Sequence, residues 1–251
     1  MESFAAANQV YAAGLIFARV GAIIMLLPGY GDTSVPPRIR LAFAFLMALM
    51  LMPIVAQGLP VPGTVSGVAG AVIKELLIGL MIGTILKLFL SSLSTAGEII
   101  SIQTTLSFAQ TAAPGQAQPS TTLGTFLMLI GVTLIMATDL HHMFLAAIVR
   151  SYAVFPFTRE LAIADSTQLA VQTVAGSFRL GLQLAAPVVV FSVIFNVAAG
   201  LVGRVMPQFQ VFFVVTPLIV LLGLSIFALS LGVIGMVWLN RYRELVSLFL
   251  G

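Results

Sequence analysis

Long apolar segments, separated by short breaks rich in Pro and Gly, are the feature that most restricts the fold of this sequence. A helix needs about 20 apolar residues to cross a bilayer core, and several segments reach or approach that length. These segments lie at residues 8–28, 39–56, 65–93, 123–149, 180–203 and 211–239. The pattern predicts an all-α protein of the polytopic membrane type, with about four to six crossings.

Composition supports this class. The 251 residues are 60% hydrophobic and only 8% charged, whereas a soluble domain has about 25% charged residues. The chain is therefore an integral membrane protein or a subunit buried in a larger assembly. The net charge of +3 is too small and too scattered for nucleic-acid binding. The absence of Cys excludes a disulfide framework, thiol catalysis and Cys-based metal sites.

The breaks separate apolar segments of one domain and do not mark boundaries between domains. No charged linker divides the chain, so we expect one all-helical domain over residues 1–251. Pro187 and Pro217 lie inside apolar segments and are expected to kink their helices. Gly79 and Gly83 form a small-xxx-small pair, which permits close contact between helices.

Several charged residues lie inside or beside the apolar segments. A charge that faces lipid is costly, so such residues usually pair with one another or line a polar cavity. We expect Arg204 and Lys74 to lie at helix ends and to reach water. We expect Arg19, Lys87 and Glu98 to contact protein. The charges indicate helices that pack mainly against protein.

Signatures of enzymatic chemistry are missing. The sequence contains no GxxxxGK[ST] phosphate-binding loop. His141 and His142 lack the i, i+4 spacing of a zinc-binding helix, because neighbours on a helix point to different faces. With Asp139 nearby, the interpretation favours structural hydrogen bonding over a proton relay. We predict no catalytic residue, no bound cofactor and no metal site.

Five blocks in order along the chain resemble one known family. They are VPPRIRLAFAF (35–45), KELLIGLMIG (74–83), GEIISIQTTLSFA (97–109), HHMFLAAIVRSYAVFP (141–156) and GRVMPQFQVFFVVTP (203–217). Together they resemble the FliR family of the flagellar type III export gate, which is homologous to the SpaR, YscT and HrcT proteins of injectisomes. Two positions depart from the family pattern, because Leu140 stands where Gly is usual and Gln210 where Asn is usual.

The resemblance implies a structural subunit rather than an enzyme. FliR-like proteins assemble with several copies of FliP and FliQ into a closed helical channel in the bacterial inner membrane, within the flagellar basal body. FlhB associates with the channel and FlhA completes the apparatus beneath it. The substrates would be unfolded flagellar subunits, and the helices would form bent hairpins packed in a hetero-oligomeric gate.

The uncharged segment from Ser107 to about Thr122 matches the family's pore-plugging loop in position. Small residues with Pro and Gly have little helix propensity, and the lack of charge avoids desolvation in a narrow pore. The plug residues implied by the resemblance are Ser107, Phe108, Ala109, Gln110, Ala112, Ala113, Pro114, Gly115 and Gln116. The alternative is an ordinary surface turn between two helices.

Two other functions remain open at this level. An injectisome gate subunit shares these motifs, and neighbouring genes would distinguish it from a flagellar one. A small-solute transporter would account for the intramembrane charges, and would be expected to work alone or as a homo-oligomer around a midplane site. Co-purification with FliP-like and FliQ-like proteins would separate a gate subunit from a transporter.

Overall fold

The structure is a computed structural model that describes most of the chain. The described residues are 2–31, 35–56, 59, 64–107, 121–157, 163–206 and 211–247. In three of these ranges the side chains are described from a later residue, which is residue 8 in 2–31, residue 168 in 163–206 and residue 213 in 211–247. Within these ranges the chain is almost entirely α-helical and contains no strand. The predicted all-α class is confirmed.

Seven helices of 15 or more residues make up the described chain. They are α1 (Glu2–Leu26), α2 (Pro37–Val55), α3 (Val65–Gln103), α4 (Thr122–Ala137), α5 (Leu140–Val154), α6 (Ile163–Val205) and α7 (Val211–Ser247). Three of them are unusually long, with 39 residues in α3, 43 in α6 and 37 in α7. Pro187 and Pro217 lie inside α6 and α7, and Pro53 lies inside α2. The kinks expected at Pro187 and Pro217 stay predictions.

Five helices are long and apolar enough to cross a membrane, namely α1, α2, α3, α6 and α7. Helices α4 and α5 meet the same test only when they are taken together, which gives a sixth candidate span. The apolar segment at 123–149 is therefore not one continuous helix. It is broken at Asp139, whose φ of 57° lies in the left-handed region that an α-helix cannot contain.

The backbone packs as two compact units that alternate along the chain. The first unit comprises the residues up to Phe89, Asp139–Val174 and the residues from Arg243, and the second comprises Leu90–Thr138 and Ala175–Tyr242. Each unit has its own buried apolar side chains. The single domain expected from the sequence stays a prediction.

In the first unit, helix α1 provides much of the core. Its side chains from Leu15 to Ile24 include a set that is almost fully buried, and α3 and α5 contribute further buried aliphatic and aromatic groups. Helix α2 packs against α1, with the rings of Phe17 and Phe45 in an edge contact at 6.1 Å. The large core residues of α1 are Leu15, Ile16, Val20, Ile23 and Ile24, and Leu27 directly after the helix is also buried.

Close approach of α1 and α3 in the first unit depends on two glycines. A Cβ at Gly79 would lie 2.5 Å from the carbonyl oxygen of Arg19 and 2.7 Å from Cβ of Ala22. A Cβ at Gly83 would lie 2.8 Å from Cβ of Leu26. The small-xxx-small pair that the sequence predicts is thus a packing face, and α1 of the same chain is the helix that it contacts.

In the second unit, α3, α4, α6 and α7 bury their apolar side chains together. The indole ring of Trp238 is fully buried and stacks on Tyr242 with ring centroids 4.9 Å apart. Gly97 of α3 lies directly against Gly124 of α4, so that a side chain at Gly97 would overlap the backbone of α4. This unit is held by close helix contacts among small and apolar residues.

We expect alanine to have opposite effects at two glycines of α3. Gly79→Ala forces apart the backbones of α1 and α3, and overpacking of this kind costs about 1–3 kcal/mol. Gly70→Ala is the matched control, because nothing lies within 4 Å of a Cβ there, and it is expected to be neutral or to stabilise by about 0.5–1 kcal/mol. Thermal unfolding in detergent, followed by circular dichroism, measures both. Equal stability of the two variants would contradict the close contact.

Candidate functional sites

The first candidate site is a buried ion pair in the first unit. The Nε atom of Arg19 in α1 lies 2.6 Å from Oε2 of Glu75 in α3, and both side chains are essentially inaccessible to solvent. Two charges removed from water lose hydration worth several kcal/mol each, and only a close contact with further hydrogen bonds offsets that loss. The remaining donors of the guanidinium are therefore as important as the pair itself.

Those donors bind the C-terminal end of α5. Nη1 of Arg19 donates to the carbonyl oxygen of Ser151 at 3.0 Å, and Nη2 donates to that of Phe155 at 2.8 Å. The last carbonyls of a helix lack intrahelical partners and carry partial negative charge. The carbonyl of Ser151 also accepts the N–H of Phe155 at 2.8 Å, so Arg19 supplies a second donor to it and a donor to the carbonyl of Phe155, and its charge interacts favourably with the helix dipole. Arg19 thus joins α1, α3 and the end of α5.

Aromatic rings and a small cavity complete this site. The guanidinium carbon of Arg19 lies 4.1 Å from the ring centroid of Tyr152 and 5.6 Å from that of Phe157, which is the distance range of cation–π interactions. Nζ of Lys74 donates to the carbonyl oxygen of Phe157 at 2.7 Å. A cavity of about 160 Å³ lies beside Lys74 and Glu75.

Of the sequence-based expectations for the charged residues, those for Arg19 and Arg204 agree with the structure and the one for Lys74 does not. Arg19 is buried and contacts protein within the chain. Sequence reasoning did not single out its partner, Glu75. The signal that could have found it is that a charge buried among apolar residues usually has a partner of opposite charge. The expectation for Lys74 is wrong, because this residue lies well inside α3 and binds a backbone carbonyl instead of extending to water from a helix end. Arg204 is exposed in the last turn of α6, as expected.

Glu98 and Lys87 are not part of the Arg19 cluster. Glu98 is half-buried in the second unit and accepts a hydrogen bond from Oγ of Ser94, one turn earlier in α3, at 3.0 Å. Lys87 is exposed on α3 in the single chain, so it is not a buried charge within this chain. A contact between Lys87 and another subunit stays a prediction.

The second candidate site is the segment that leads into the predicted plug loop. Of the plug residues named from the sequence, Ser107 is described and lies just after the end of α3. The others lie outside the described residues, namely Phe108, Ala109, Gln110, Ala112, Ala113, Pro114, Gly115 and Gln116. Their role as a plug stays a prediction.

Helix α3 ends in a turn that the second unit holds in place. Thr105 has a φ of 61°, which is uncommon for a β-branched residue, and its N–H donates to the carbonyl of Ile102. Thr104 is fully buried, and a Cβ at Gly223 of α7 would lie 2.6 Å from its Cγ2.

Hydrogen bonds also connect this turn to α6. Oγ of Ser192 donates to Oε1 of Gln103 at 2.7 Å, and Nδ2 of Asn196 donates to the same hydroxyl at 3.2 Å. The side chain of Ser192 is almost completely buried, so these bonds are formed away from water. We call residues 103–105 with Ser192, Asn196 and Gly223 the loop anchor. Sequence reasoning singled out the loop and missed its anchor, because the anchor joins residues that are far apart in the chain.

Removal of Arg19 is expected to destabilise the first unit strongly. Arg19→Met leaves the Glu75 carboxylate buried and uncompensated, and breaking a buried pair in this way costs about 3–5 kcal/mol. The double variant Arg19→Met/Glu75→Leu should recover part of this loss, but not all of it, because the carbonyl of Phe155 still lacks the donor that Arg19 supplied and that of Ser151 keeps only the N–H of Phe155.

The measurement is unfolding in detergent for the single and double variants, with Lys87→Met as the control for loss of a cation from an exposed position. The control should behave like the unchanged chain. An Arg19→Met variant with the same stability as the Lys87→Met variant would refute the central role of the ion pair.

Comparison with known proteins places the chain in a family. The family described as "Bacterial export proteins, family 1" matches residues 10–245. The chain is similar to the flagellar biosynthetic protein FliR of Caulobacter vibrioides, with 62% identity over 250 residues that cover 99% of this chain and 100% of the relative. FliR of Aquifex aeolicus is 28% identical, covering 94% of this chain and 91% of the relative. FliR of Escherichia coli is also 28% identical, and the match covers 92% of this chain and 88% of the relative. The chain belongs to family 1 of the bacterial export proteins, as a member of its FliR group.

Proposed function

We propose that this protein is a structural subunit of the flagellar type III export gate in the bacterial inner membrane. In this role it forms part of the channel that passes unfolded flagellar subunits. Its partners are FliP-like and FliQ-like gate subunits, with FlhB-like and FlhA-like export proteins. Its relatives bear the name of a flagellar biosynthetic protein, which favours the flagellar gate over an injectisome gate.

The observation that carries the proposal is the length of the apolar helices. The candidate spans in α3, α6 and α7 contain 39, 38 and 35 residues. At about 1.5 Å per residue, 39 residues are about 58 Å long, against about 30 Å for a bilayer core. A straight helix of that length would need a tilt of about 60° to fit, whereas tilts observed in membranes range from about 0 to 40°.

The excess length has to be covered by something other than lipid. Within an 18-residue apolar stretch of each helix, only 17% in α6 and 22% in α7 is buried inside the chain. Large apolar side chains are exposed along α6 in the second unit from Phe178 to Val205. Such a surface outside the bilayer is unstable in water and marks a protein interface. Neighbouring subunits of a hetero-oligomeric gate are the partners that fit this surface.

A transporter that works alone would be built differently. Its charged groups would converge on a solute site at the bilayer midplane. Arg19 instead donates to Glu75 and to the end of α5, so that its hydrogen-bonding capacity is used for structure. This arrangement supports the gate subunit over the small-solute transporter.

We assign the predicted plug to the segment from Ser107 to Thr122 within this gate. Its uncharged composition supports the assignment, and so does the loop anchor at its start. An anchored base with a segment of small residues beyond it suits a barrier that must close a pore and move aside for a polypeptide. Phe108 would supply bulk, and the Ala112–Gly115 turn would direct the segment.

The gate proposal is tested by complementation and co-purification. We expect this chain to restore swimming in soft agar to a Caulobacter vibrioides strain that lacks its own FliR, because the two proteins are similar over their full lengths. Affinity purification from that strain should recover the host's FliP and FliQ, identified by mass spectrometry. A chain that failed to restore swimming and purified only with copies of itself would favour the transporter instead.

The plug proposal predicts leakage when the loop is shortened. Deletion of Ala112–Gln116 should leave the gate assembled, because changes in loop length cost little closure entropy. It should raise ion conductance of the membrane, because the barrier is shorter. Patch-clamp or planar-bilayer conductance of the purified complex measures this effect.

Two matched variants make the plug test specific. Shortening the segment at residues 57–63, which is also uncharged and rich in Pro and Gly, should leave conductance unchanged. Replacing Ala112–Gln116 with five Gly and Ser residues keeps the length of the loop and changes its composition. This variant therefore shows whether conductance depends on the length of the loop or on its residues. Unchanged conductance in an assembled complex with the deletion would reduce the segment to an ordinary turn.

A further inference from the structure

Three side chains with metal-binding atoms come together at the start of α5. Oδ1 of Asp139 lies 3.5 Å from Nδ1 of His142 and 4.0 Å from Nε2 of His141. One ligand atom from each of the three residues lies within 4.8 Å of the other two, and the centroids of the two imidazole rings are 4.1 Å apart, with 38° between the ring planes. The export function proposed above uses none of these groups.

This geometry gives a reason to test the prediction of no metal site, which was drawn from the sequence. The sequence argument was that His141 and His142 lack the i, i+4 spacing of a zinc-binding helix, because neighbours on a helix point to different faces. Here Asp139 is not helical, because its backbone is in the left-handed region, and the histidines follow it in the first turn of α5. The left-handed residue brings its carboxylate beside both rings.

We propose that Asp139, His141 and His142 form a binding site for a divalent transition-metal ion of the Zn²⁺ type. Imidazole nitrogen and carboxylate oxygen are ligands that Zn²⁺ accepts, at bond lengths of about 2.0–2.2 Å. Around a tetrahedral ion, such bonds place neighbouring ligand atoms about 3.3 Å apart. The separations of 3.5 and 4.0 Å are within reach of that value by side-chain rotation.

Access to the cluster and the choice of atoms are also consistent with a metal site. The side chains of Asp139 and His142 are 79% and 68% exposed, so an ion can reach them from solvent. Nδ1 of His141 is buried, which leaves Nε2 as the nitrogen of this ring that an ion can reach. Three protein ligands leave at least one coordination position for water. An ion held here would link the N-cap of α5 to its first turn.

Zinc binding to the full-length chain tests the proposal directly. The chain is purified in detergent with an affinity tag that contains no histidine, and Zn²⁺ is titrated in competition with a chromophoric chelator. We expect one Zn²⁺ per chain. Asp139→Asn, His141→Gln and His142→Gln should each weaken the affinity by at least ~10-fold, because each removes a ligand.

The variants separate a ligand role from a structural one. Asn tolerates the left-handed backbone conformation as Asp does, so Asp139→Asn preserves the turn and removes only the carboxylate. Glu98→Gln is the matched control, since it removes a carboxylate that is not in the cluster, and it should leave Zn²⁺ affinity unchanged. Circular dichroism confirms that each variant is folded.

A second measurement does not depend on any variant. The chain contains only two histidines, so selective ¹⁵N labelling of histidine reports on these two rings alone. Addition of Zn²⁺ should shift the ring nitrogen resonances of both residues together. The proposal is overturned if Zn²⁺ leaves either ring unchanged, or if the affinity is equal in the unchanged chain and the three variants. The cluster would then be an ordinary contact between an aspartate and two histidines.

Discussion

The guanidinium of Arg19 sits where three segments distant in sequence meet in the first unit. It binds Glu75 of α3 and the last carbonyls of α5, with the ring of Tyr152 stacked against it. Apolar contacts are non-directional, so apolar helices alone would slide past one another at little cost. The hydrogen bonds of Arg19 are directional, and they fix α1 in register against α3 and α5. Gly79 then allows the helix backbones to approach closely enough for these bonds to form.

The helices of the second unit pack in a defined arrangement with fewer charged residues than those of the first. Its helices approach through small residues, with Gly97 against Gly124 and Gly223 against Thr104. Where polar groups are buried, as at Gln103 and Ser192, they bond to each other. Although the hydroxyl of Ser177 and the indole N–H of Trp238 are buried without a partner among the described residues, the apolar surroundings favour a directional partner for a buried polar group. The loop anchor is a product of this rule, and it places the start of the proposed plug on packed helices.

The two units show how a chain with so little charge can be specific in its contacts. Inside each unit, a few polar groups and glycines determine which helix faces meet. Outside, α2, α6 and α7 keep large apolar side chains exposed. A surface of this kind is stable only against lipid or against other apolar protein, because water does not solvate it favourably. The exposed apolar surface of the single chain is thus suited to contact with lipid or with other membrane proteins.

The sequence by itself determined the all-α class, the membrane character, the positions of most breaks and the family, because these depend on composition and on the order of local patterns. It also indicated Gly79 and Gly83 as a packing face. Only the tertiary structure decided that Glu75 and the end of α5 satisfy Arg19, that Lys74 binds Phe157, and that Asp139 interrupts a continuous apolar segment. The physical reason is that hydropathy is a property of each residue, whereas the partner of a buried polar group is chosen by helices that meet only when the chain is folded.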